Sequence, residues 1–181
     1  LVMTWMAGKD RWRTMPWIVV VFGIAVASEW PACDMAATAL SAAALEVARE
    51  NARTLLGASR TIAFVQGDLY DGTEGVFDIV CSNPPYISES EYETLAREVT
   101  LYEPREALVA GPLGTEVHRR IAGGAREKLK PGGWLLMEMG AEQRAALTEI
   151  LGQTGLFDEI RFRADLAGLD RVVIARRNDL L

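Results

Sequence analysis

The stretch that decides the fold is Asp78-Ile79-Val80-Cys81-Ser82-Asn83-Pro84-Pro85-Tyr86-Ile87. Its first residues belong to the mostly apolar run 77–81, which is typical of a buried strand. Two prolines then stop the strand, because each fixes its own φ near about −65° and holds the preceding residue extended. We therefore predict a central strand that ends in a stiff loop, at the position where open α/β sheets place their ligand sites.

The groups in this loop suit the binding of a planar amino group. The side-chain oxygen of Asn83 and the carbonyl of Pro84 can each accept one N–H, and the ring of Tyr86 can cover one face. Pro85 has no N–H and so cannot pair with the carbonyls around it. An ordinary proline-stiffened turn is the alternative, and it suffices to explain two prolines alone. Asn-Pro-Pro-Tyr directly after a strand favours a functional site.

Apolar runs alternate with segments of helical periodicity along the rest of the chain. The predicted strands are 17–22, 34–38, 61–65, 77–81, 134–139, 156–163 and 171–176. The predicted helices are 23–30, 42–56, 88–97, 114–129 and 141–154. This alternation predicts an α/β fold with a mostly parallel seven-stranded sheet and helices on both faces. The runs at 17–22, 61–65, 77–81 and 134–139 are expected to be neighbouring parallel strands. The last two strands are expected to pair antiparallel, since only a short loop separates them.

Composition and charge narrow the possible functions. The 181 residues suffice for one α/β domain, and the net charge of −6 argues against a broad nucleic-acid surface. Cys33 and Cys81 lie far apart in apolar stretches, which favours reduced thiols over a disulfide or metal pair. Because His118 is the only histidine, a histidine-based metal site or a Ser-His-Asp triad has little to build on. We predict no metal site.

The amino-terminal residues allow two interpretations. Lys9, Arg11 and Arg13 could form the basic region of a signal peptide whose apolar core is 17–27. That core is too short to span a bilayer, and the residues after it continue the alternation of strands and helices described above. We therefore predict a cytoplasmic protein without membrane association. Residues 1–16 remain unassigned, and 17–181 are predicted to form one domain.

Four segments carry a specific resemblance in combination. They are FDIVCSNPPYI at 77–87, YEPREALVAGPLG at 102–114, LKPGGWLLMEMGAEQ at 129–143 and DLAGLDRVVIARR at 165–177. With them, the chain resembles the bacterial peptide chain release factor N(5)-glutamine methyltransferases from about Glu29 to Arg177. The resemblance implies a Rossmann-like class I fold and transfer of a methyl group from S-adenosylmethionine to a glutamine side-chain amide of a release factor. Asn83 and Pro84 would orient that amide for in-line attack.

The resemblance also implies where S-adenosylmethionine would bind. In the family a glycine-rich loop follows strand one, because glycine lets the backbone approach a ligand closely, and here only Gly23 corresponds to it. The family ends strand two with an acidic residue that accepts the ribose hydroxyls, but Ala39 stands at that position. Asp34 lies too early in the strand to replace it. We therefore expect an eroded ribose site.

The later cofactor positions match the family better. Asp68 follows strand three, where the family contacts the adenine amino group, although a loop carboxylate that caps a turn explains it equally well. Leu69 could pack on the adenine ring, and Asn83 faces the methionine end. The catalytic half of the site is therefore expected to be more complete than the cofactor half.

Three functions remain open at this point. The first is a release-factor glutamine methyltransferase domain that is truncated or damaged at its amino end, where sixteen unmatched residues are too few for the helical domain that precedes it in the family. The second is an N(6)-adenine methyltransferase of nucleic acid, since the same loop can hold the exocyclic amine of a flipped base. The acidic net charge and the Glu103-Pro104-Arg105 stretch favour a protein substrate. The third is an inactive domain that keeps the fold but has lost cofactor binding.

Overall fold

Short runs rich in β-branched and other apolar residues form most of the strands, as expected for side chains that pack well on a pleated surface. The computed structural model describes residues 24–28, 34–56 and 62–179. The strands in these ranges are β1 (Ile24–Ser28), β2 (Asp34–Ala39), β3 (Ile62–Gln66), β4 (Phe77–Ser82), β5 (Ile87–Ser88), β6 (Val109–Gly111), β7 (Leu129–Glu138), β8 (Phe157–Ala164) and β9 (Asp170–Arg177). β5 and β6 form a separate small pair beside the main sheet.

The other seven strands form one sheet in the order β3-β2-β1-β4-β7-β9-β8. β2 pairs parallel with β3, and β4 with β7, whereas β9 is antiparallel to both β7 and β8. The seven-stranded sheet and the antiparallel last strand are thus confirmed. The run at 61–65 is in this sheet, but it is not a neighbour of β4, because β2 and β1 lie between them. The predicted strand 17–22 lies outside the described residues.

β1 differs most from expectation. The sequence predicts a helix over 23–30, but residues 24–28 form a strand that runs antiparallel to both β2 and β4. The helix prediction is therefore wrong for these five residues. β-Branched Ile24 and Val26 favour the extended form, and a strand here pairs backbone groups of β2 and β4 that otherwise have no ladder partner. Five of the seven strands point in one direction, but β1 and β9 run the other way between them. Only two of the six neighbouring pairs are therefore parallel, and the sheet is mixed where a mostly parallel one was predicted.

Six α-helices and one short 3-10 helix, Ala141–Gln143, connect or cover these strands within the described ranges. The α-helices are α1 (Ala42–Leu56), α2 (Glu89–Tyr92), α3 (Arg97–Tyr102), α4 (Arg105–Leu108), α5 (Glu116–Lys128) and α6 (Arg144–Gln153). α1 matches its prediction, with Ser41 as its cap, since the Ala44 N–H donates to Ser41 Oγ at 3.3 Å. The single helix predicted over 88–97 is wrong, because the chain leaves the helix after Tyr92 and starts α3 only at Arg97. There the Thr94 hydroxyl donates to the Glu91 carbonyl at 2.8 Å and competes with helical pairing.

The core lies between the centre of the sheet and the pair α5 and α6. Val80, Leu135 and Val173 alternate with less buried neighbours along β4, β7 and β9, and they pack with Ile121 and Leu147 of the two helices. α1 packs separately against β2 and β3. No helix in the described ranges is long and apolar enough to cross a membrane. The sheet and its core therefore hold the carboxyl ends of β2, β3, β4 and β7 along one edge, where the candidate site lies.

Candidate active site

The loop at residues 83–86, which we call the site loop, leaves the sheet at the carboxyl end of β4. Ser82 still pairs with Met137 of β7, so the start of the loop is fixed by the ladder. Pro84 is buried, whereas Asn83, Pro85 and Tyr86 are half-buried. Within the described part of the chain, no hydrogen bond involves the Asn83 amide. The loop thus has the stiff, strand-terminating form that the sequence predicts.

A capping box fixes the other end of the site loop. The Ser88 N–H donates to Glu91 Oε2 at 2.9 Å, and the Glu91 N–H donates back to Ser88 Oγ at 3.2 Å. The hydrogen bonds from Ser88 lower the pKa of Glu91, so this carboxylate stays ionised and keeps accepting. α2 therefore starts at a fixed place, with its cap Ser88 two residues after Tyr86 and its first helical residue, Glu89, three residues after it.

The Tyr86 side chain is fixed by the end of β7. Its hydroxyl donates to Glu138 Oε1 at 3.4 Å. Burial, and next the negative charge of Glu138, raise the pKa of Tyr86, against an opposing effect of Arg171. The phenol therefore stays neutral at physiological pH. Arg171 itself donates to Asp165 Oδ2 at 3.1 Å and to the Met139 carbonyl at 3.4 Å, so β9 also supports this corner of the site.

Gln143 connects the site loop to two other turns. Its Nε2 donates to the Tyr86 carbonyl at 2.8 Å and to the Gly114 carbonyl at 3.0 Å. Its Oε1 accepts from the Gly140 N–H at 2.9 Å. Gly114 has φ +74°, and a Cβ there would lie 2.7 Å from the Tyr86 carbonyl oxygen. Only glycine permits this approach without a shift of the loop.

The single histidine lies beneath the same corner and has a structural role. His118 is fully buried in α5, and its Nε2 lies 2.8 Å from the Glu138 carbonyl. A carbonyl only accepts, so Nε2 carries the proton. Burial lowers the pKa of His118, which keeps the ring neutral. No cluster of metal-binding side chains exists in the described ranges, and His118 is a core residue that supports the end of β7.

The end of β2 has a different character. Ala39 is its last residue, with a side chain only 1% exposed. The Ala39 carbonyl accepts from the Gly67 N–H at 3.1 Å, and Gln66 Nε2 donates to the Leu40 carbonyl at 3.1 Å. Asp34 is the first residue of β2 and so lies at the amino end of the strand, away from the carboxyl ends where the candidate site lies. Ala39 thus stands at the predicted place in the strand, but it provides no side-chain acceptor for a ribose.

Asp68 and Leu69 follow β3, and both make contacts within the protein. Asp68 Oδ2 accepts from Arg120 of α5 at 2.6 Å. Leu69 has φ 54°, an uncommon value for a residue other than glycine. Its carbonyl accepts from Thr38 Oγ1 at 2.7 Å, and its side chain packs against the core. The strained backbone is therefore fixed by a contact with β2, which keeps the turn after β3 close to the end of that strand.

The fold brings together most of the predicted site residues. Because β2, β3 and β4 point the same way, Ala39, Asp68, Leu69 and the site loop lie along one edge of the sheet. Gly23 lies outside the described residues. With respect to S-adenosylmethionine the fit is partial. Asp68 and Asn83 stand after the strands where the resemblance expects cofactor contacts, but the side chain of Ala39 has no acceptor for ribose hydroxyls.

Three contact-making residues of this corner were not assigned a role from the sequence. Glu138, Gln143 and Arg171 lie inside the segments LKPGGWLLMEMGAEQ and DLAGLDRVVIARR. Both segments contribute to the family resemblance, and this is the one sequence signal that could have identified the three residues.

Comparison with known proteins agrees with this geometry. The model of the methyltransferase small domain family matches residues 20–113, more than half of the chain. The chain therefore belongs to that family. The fold agrees as well: a methyltransferase of Pyrococcus furiosus superposes with a TM-score of 0.56 at 19% identity, over 79% of this chain and 62% of that one. Fold and site loop together define a class I methyltransferase domain.

The resemblance to release factor glutamine methyltransferases is confirmed at the level of sequence. The enzyme of that name from Nitratidesulfovibrio vulgaris is 45% identical over 142 residues, which are 77% of this chain and 48% of the relative. That of Rhodopirellula baltica is 38% identical over 152 residues, 83% of this chain and 51% of the relative. The chain thus spans about half the length of the curated relatives it matches.

Proposed function

We propose that this domain transfers a methyl group from S-adenosylmethionine to the side-chain amide nitrogen of a protein glutamine. The observation that carries the proposal is the site loop. It places an amide oxygen and a proline carbonyl after a central strand, and it is fixed at both ends by the β4–β7 ladder and by the capping box at Ser88 and Glu91. The names of the relatives support the same reaction.

The residues of the loop would act by positioning. An amide nitrogen is a poor nucleophile because its lone pair is delocalised into the carbonyl. The side-chain oxygen of Asn83 and the Pro84 carbonyl would each accept one N–H of the glutamine, and the Tyr86 ring would cover one face of the amide. S-Adenosylmethionine, when bound, supplies the electrophilic methyl group. The site loop thus lowers the barrier through orientation and fixed dipoles. The methylated amide then loses its extra proton to water.

The substrate that we propose is a peptide chain release factor. Release factor is the substrate in the names of the curated relatives, and the net charge of −6 disfavours nucleic acid as an alternative. The cytoplasm, where release factors act, is the proposed location.

A methylation assay tests this function. The purified chain is incubated with S-adenosylmethionine and a bacterial release factor, and in parallel with an adenine-containing oligonucleotide. Peptide mass spectrometry should locate one added methyl group on a glutamine side chain of the release factor, and the oligonucleotide should stay unmodified. Methylated adenine would support the nucleic-acid alternative. No product in either reaction, together with no cofactor binding in calorimetry, would identify an inactive domain.

A further inference from the structure

We propose that Gln143 is a positioning residue for the site loop, an inference that rests on the proposed function of that loop. Two consecutive prolines remove two N–H groups from the loop. The hydrogen-bonding groups left on the loop backbone are mainly carbonyl acceptors. A side chain that fixes this backbone by hydrogen bonding therefore has to be a donor. Gln143 supplies that donor at the Tyr86 carbonyl, with an N–O distance of 2.8 Å.

The chemistry of the Gln143 amide suits this role. Its NH₂ group has two hydrogens, and both have an acceptor, the Tyr86 carbonyl and the Gly114 carbonyl. The oxygen of the same amide accepts from the Gly140 N–H, so the side chain cannot rotate by half a turn without losing all three bonds. The turn that follows β7 thereby sets the position of the loop that follows β4.

The two ends of Tyr86 are consequently held by the same stretch of chain. Its hydroxyl donates to Glu138, the last residue of β7, and its carbonyl accepts from Gln143, five positions further on. The ring and the backbone at Tyr86 are thus fixed together, and with them the Pro84 carbonyl two residues earlier. We infer that the acceptor geometry of the loop depends on Gln143, although Gln143 itself need not touch the substrate.

Gln143→Glu tests the inference, because it keeps the shape and the acceptor but removes both donated hydrogens. Gln153→Glu is the matched control, since Gln153 lies in α6 and is exposed. Its side chain accepts a hydrogen bond from Arg119 and donates one to Glu149, and neither partner belongs to the site loop. Hydrogen exchange of the Ile87 and Ser88 amides, measured by NMR, should accelerate by about tenfold or more in Gln143→Glu, given what two hydrogen bonds contribute. It should stay unchanged in Gln153→Glu. Amides in the centre of β9 serve as the internal reference and should keep their protection.

A kinetic readout separates positioning from simple stabilisation. With an active chain, Gln143→Glu should lower kcat by about 10- to 100-fold through misplacement of the acceptors, with little change in the KM for S-adenosylmethionine. If the unmodified chain transfers no methyl group, the proposed function fails, and the exchange measurement still decides whether Gln143 holds the loop.

Two results would overturn the proposal. One is unchanged exchange at Ile87 and Ser88 in the Gln143 variant. The other is an equal loss of protection at the centre of β9, which would mean general destabilisation. If Gln143→Glu does not fold, Gln143→Met, which lacks both donor and charge, replaces it in the same measurement.

Discussion

The two sides of the candidate site are built differently. On the side of β4 and β7, side chains from separate turns converge on the site loop, with Gln143 on its backbone and Glu138 on its aromatic ring. On the side of β2 and β3, the polar groups are engaged within the protein, as Asp68 is with Arg120, and Ala39 supplies none. The described contacts that fix the site loop thus come from the β4 and β7 side, and none of them involves Ala39 or Asp68. The four predictions below probe the two sides separately.

The largest effect is expected at Asn83. Asn83→Ala should abolish methyl transfer, because it removes the side-chain oxygen that is proposed to accept an N–H of the glutamine. The melting temperature should change little, since the Asn83 amide makes no hydrogen bond within the described part of the chain. Activity and thermal unfolding measured on the same preparation check both statements. A steep fall in melting temperature would show that Asn83 is a structural turn residue.

The next largest effect concerns the cofactor half. Ala39→Asp should tighten binding of S-adenosylmethionine by about 1–3 kcal/mol, through charge-assisted hydrogen bonds to the ribose hydroxyls. It should also lower the free energy of unfolding without ligand, because Ala39 is buried and a carboxylate there loses water.

Titration calorimetry and denaturant unfolding measure these two quantities. Ala39→Asn is the matched neutral control, and it should gain less affinity. Equal affinities in all three proteins would mean that position 39 does not face a ribose.

A smaller effect is expected on the free energy of unfolding when the pH is lowered, through His118 beneath the end of β7. The pKa of buried His118 is lowered in the folded state, so the unfolded chain binds a proton more readily. The contribution of His118 is fully present above its ordinary pKa of about 6.5 and is lost as the pH falls below it, with a slope of at most about 1.4 kcal/mol per pH unit.

Unfolding experiments between about pH 5 and 7 measure this slope, and His118→Gln should flatten it. The carboxylates whose pKa is lowered, Glu91 and Asp165, titrate at lower pH and do not interfere. The same slope in the variant would exclude His118 as its source.

The smallest effect is expected at Arg120. Its pair with Asp68 is largely solvent-exposed, and such pairs contribute about 0–1 kcal/mol. Arg120→Gln should therefore change the free energy of unfolding by less than about 1 kcal/mol. If Asp68 contacts the adenine amino group, the same variant should leave cofactor affinity equal or stronger, whereas Asp68→Asn should weaken it. Unchanged cofactor affinity in Asp68→Asn would instead assign Asp68 to a turn-capping role.

Much of the fold follows from local pattern. The apolar run 77–81 with its two prolines predicts β4 and the site loop, and helical spacing with Ser41 as cap predicts α1 to the residue. Local pattern does not predict the strand at residues 24–28, because Ile-Ala-Val-Ala-Ser is too short for its periodicity to distinguish helix from strand. Backbone pairing with β2 and β4 determines the strand conformation of these residues. The domain boundary at residue 17 and the roles predicted for all the site residues stay predictions. These residues are Gly23, Ala39, Asp68, Leu69, Asn83, Pro84, Pro85 and Tyr86.

The supporting contacts of the site could not be predicted, for a physical reason. Gln143 bonds to residues 57 and 29 positions earlier in the chain, and Glu138 meets Tyr86 across 52 positions. Contacts of this kind have no local signature and depend on how the sheet arranges its turns. The sequence thus predicts the position and stiffness of the loop, whereas the contacts that support it depend on the fold.

Gly114 has a consequence for how the sequence of this domain can vary. Its α-carbon faces the Tyr86 carbonyl so closely that any Cβ would meet the oxygen at 2.7 Å, and its φ of +74° disfavours every other residue besides. The turn before α5 therefore cannot be redesigned independently of the site loop. A change in the length or sequence of the 111–114 turn would also move the acceptors of the site loop. Substitutions intended to alter the substrate range are therefore better placed in the surrounding helices than in this turn.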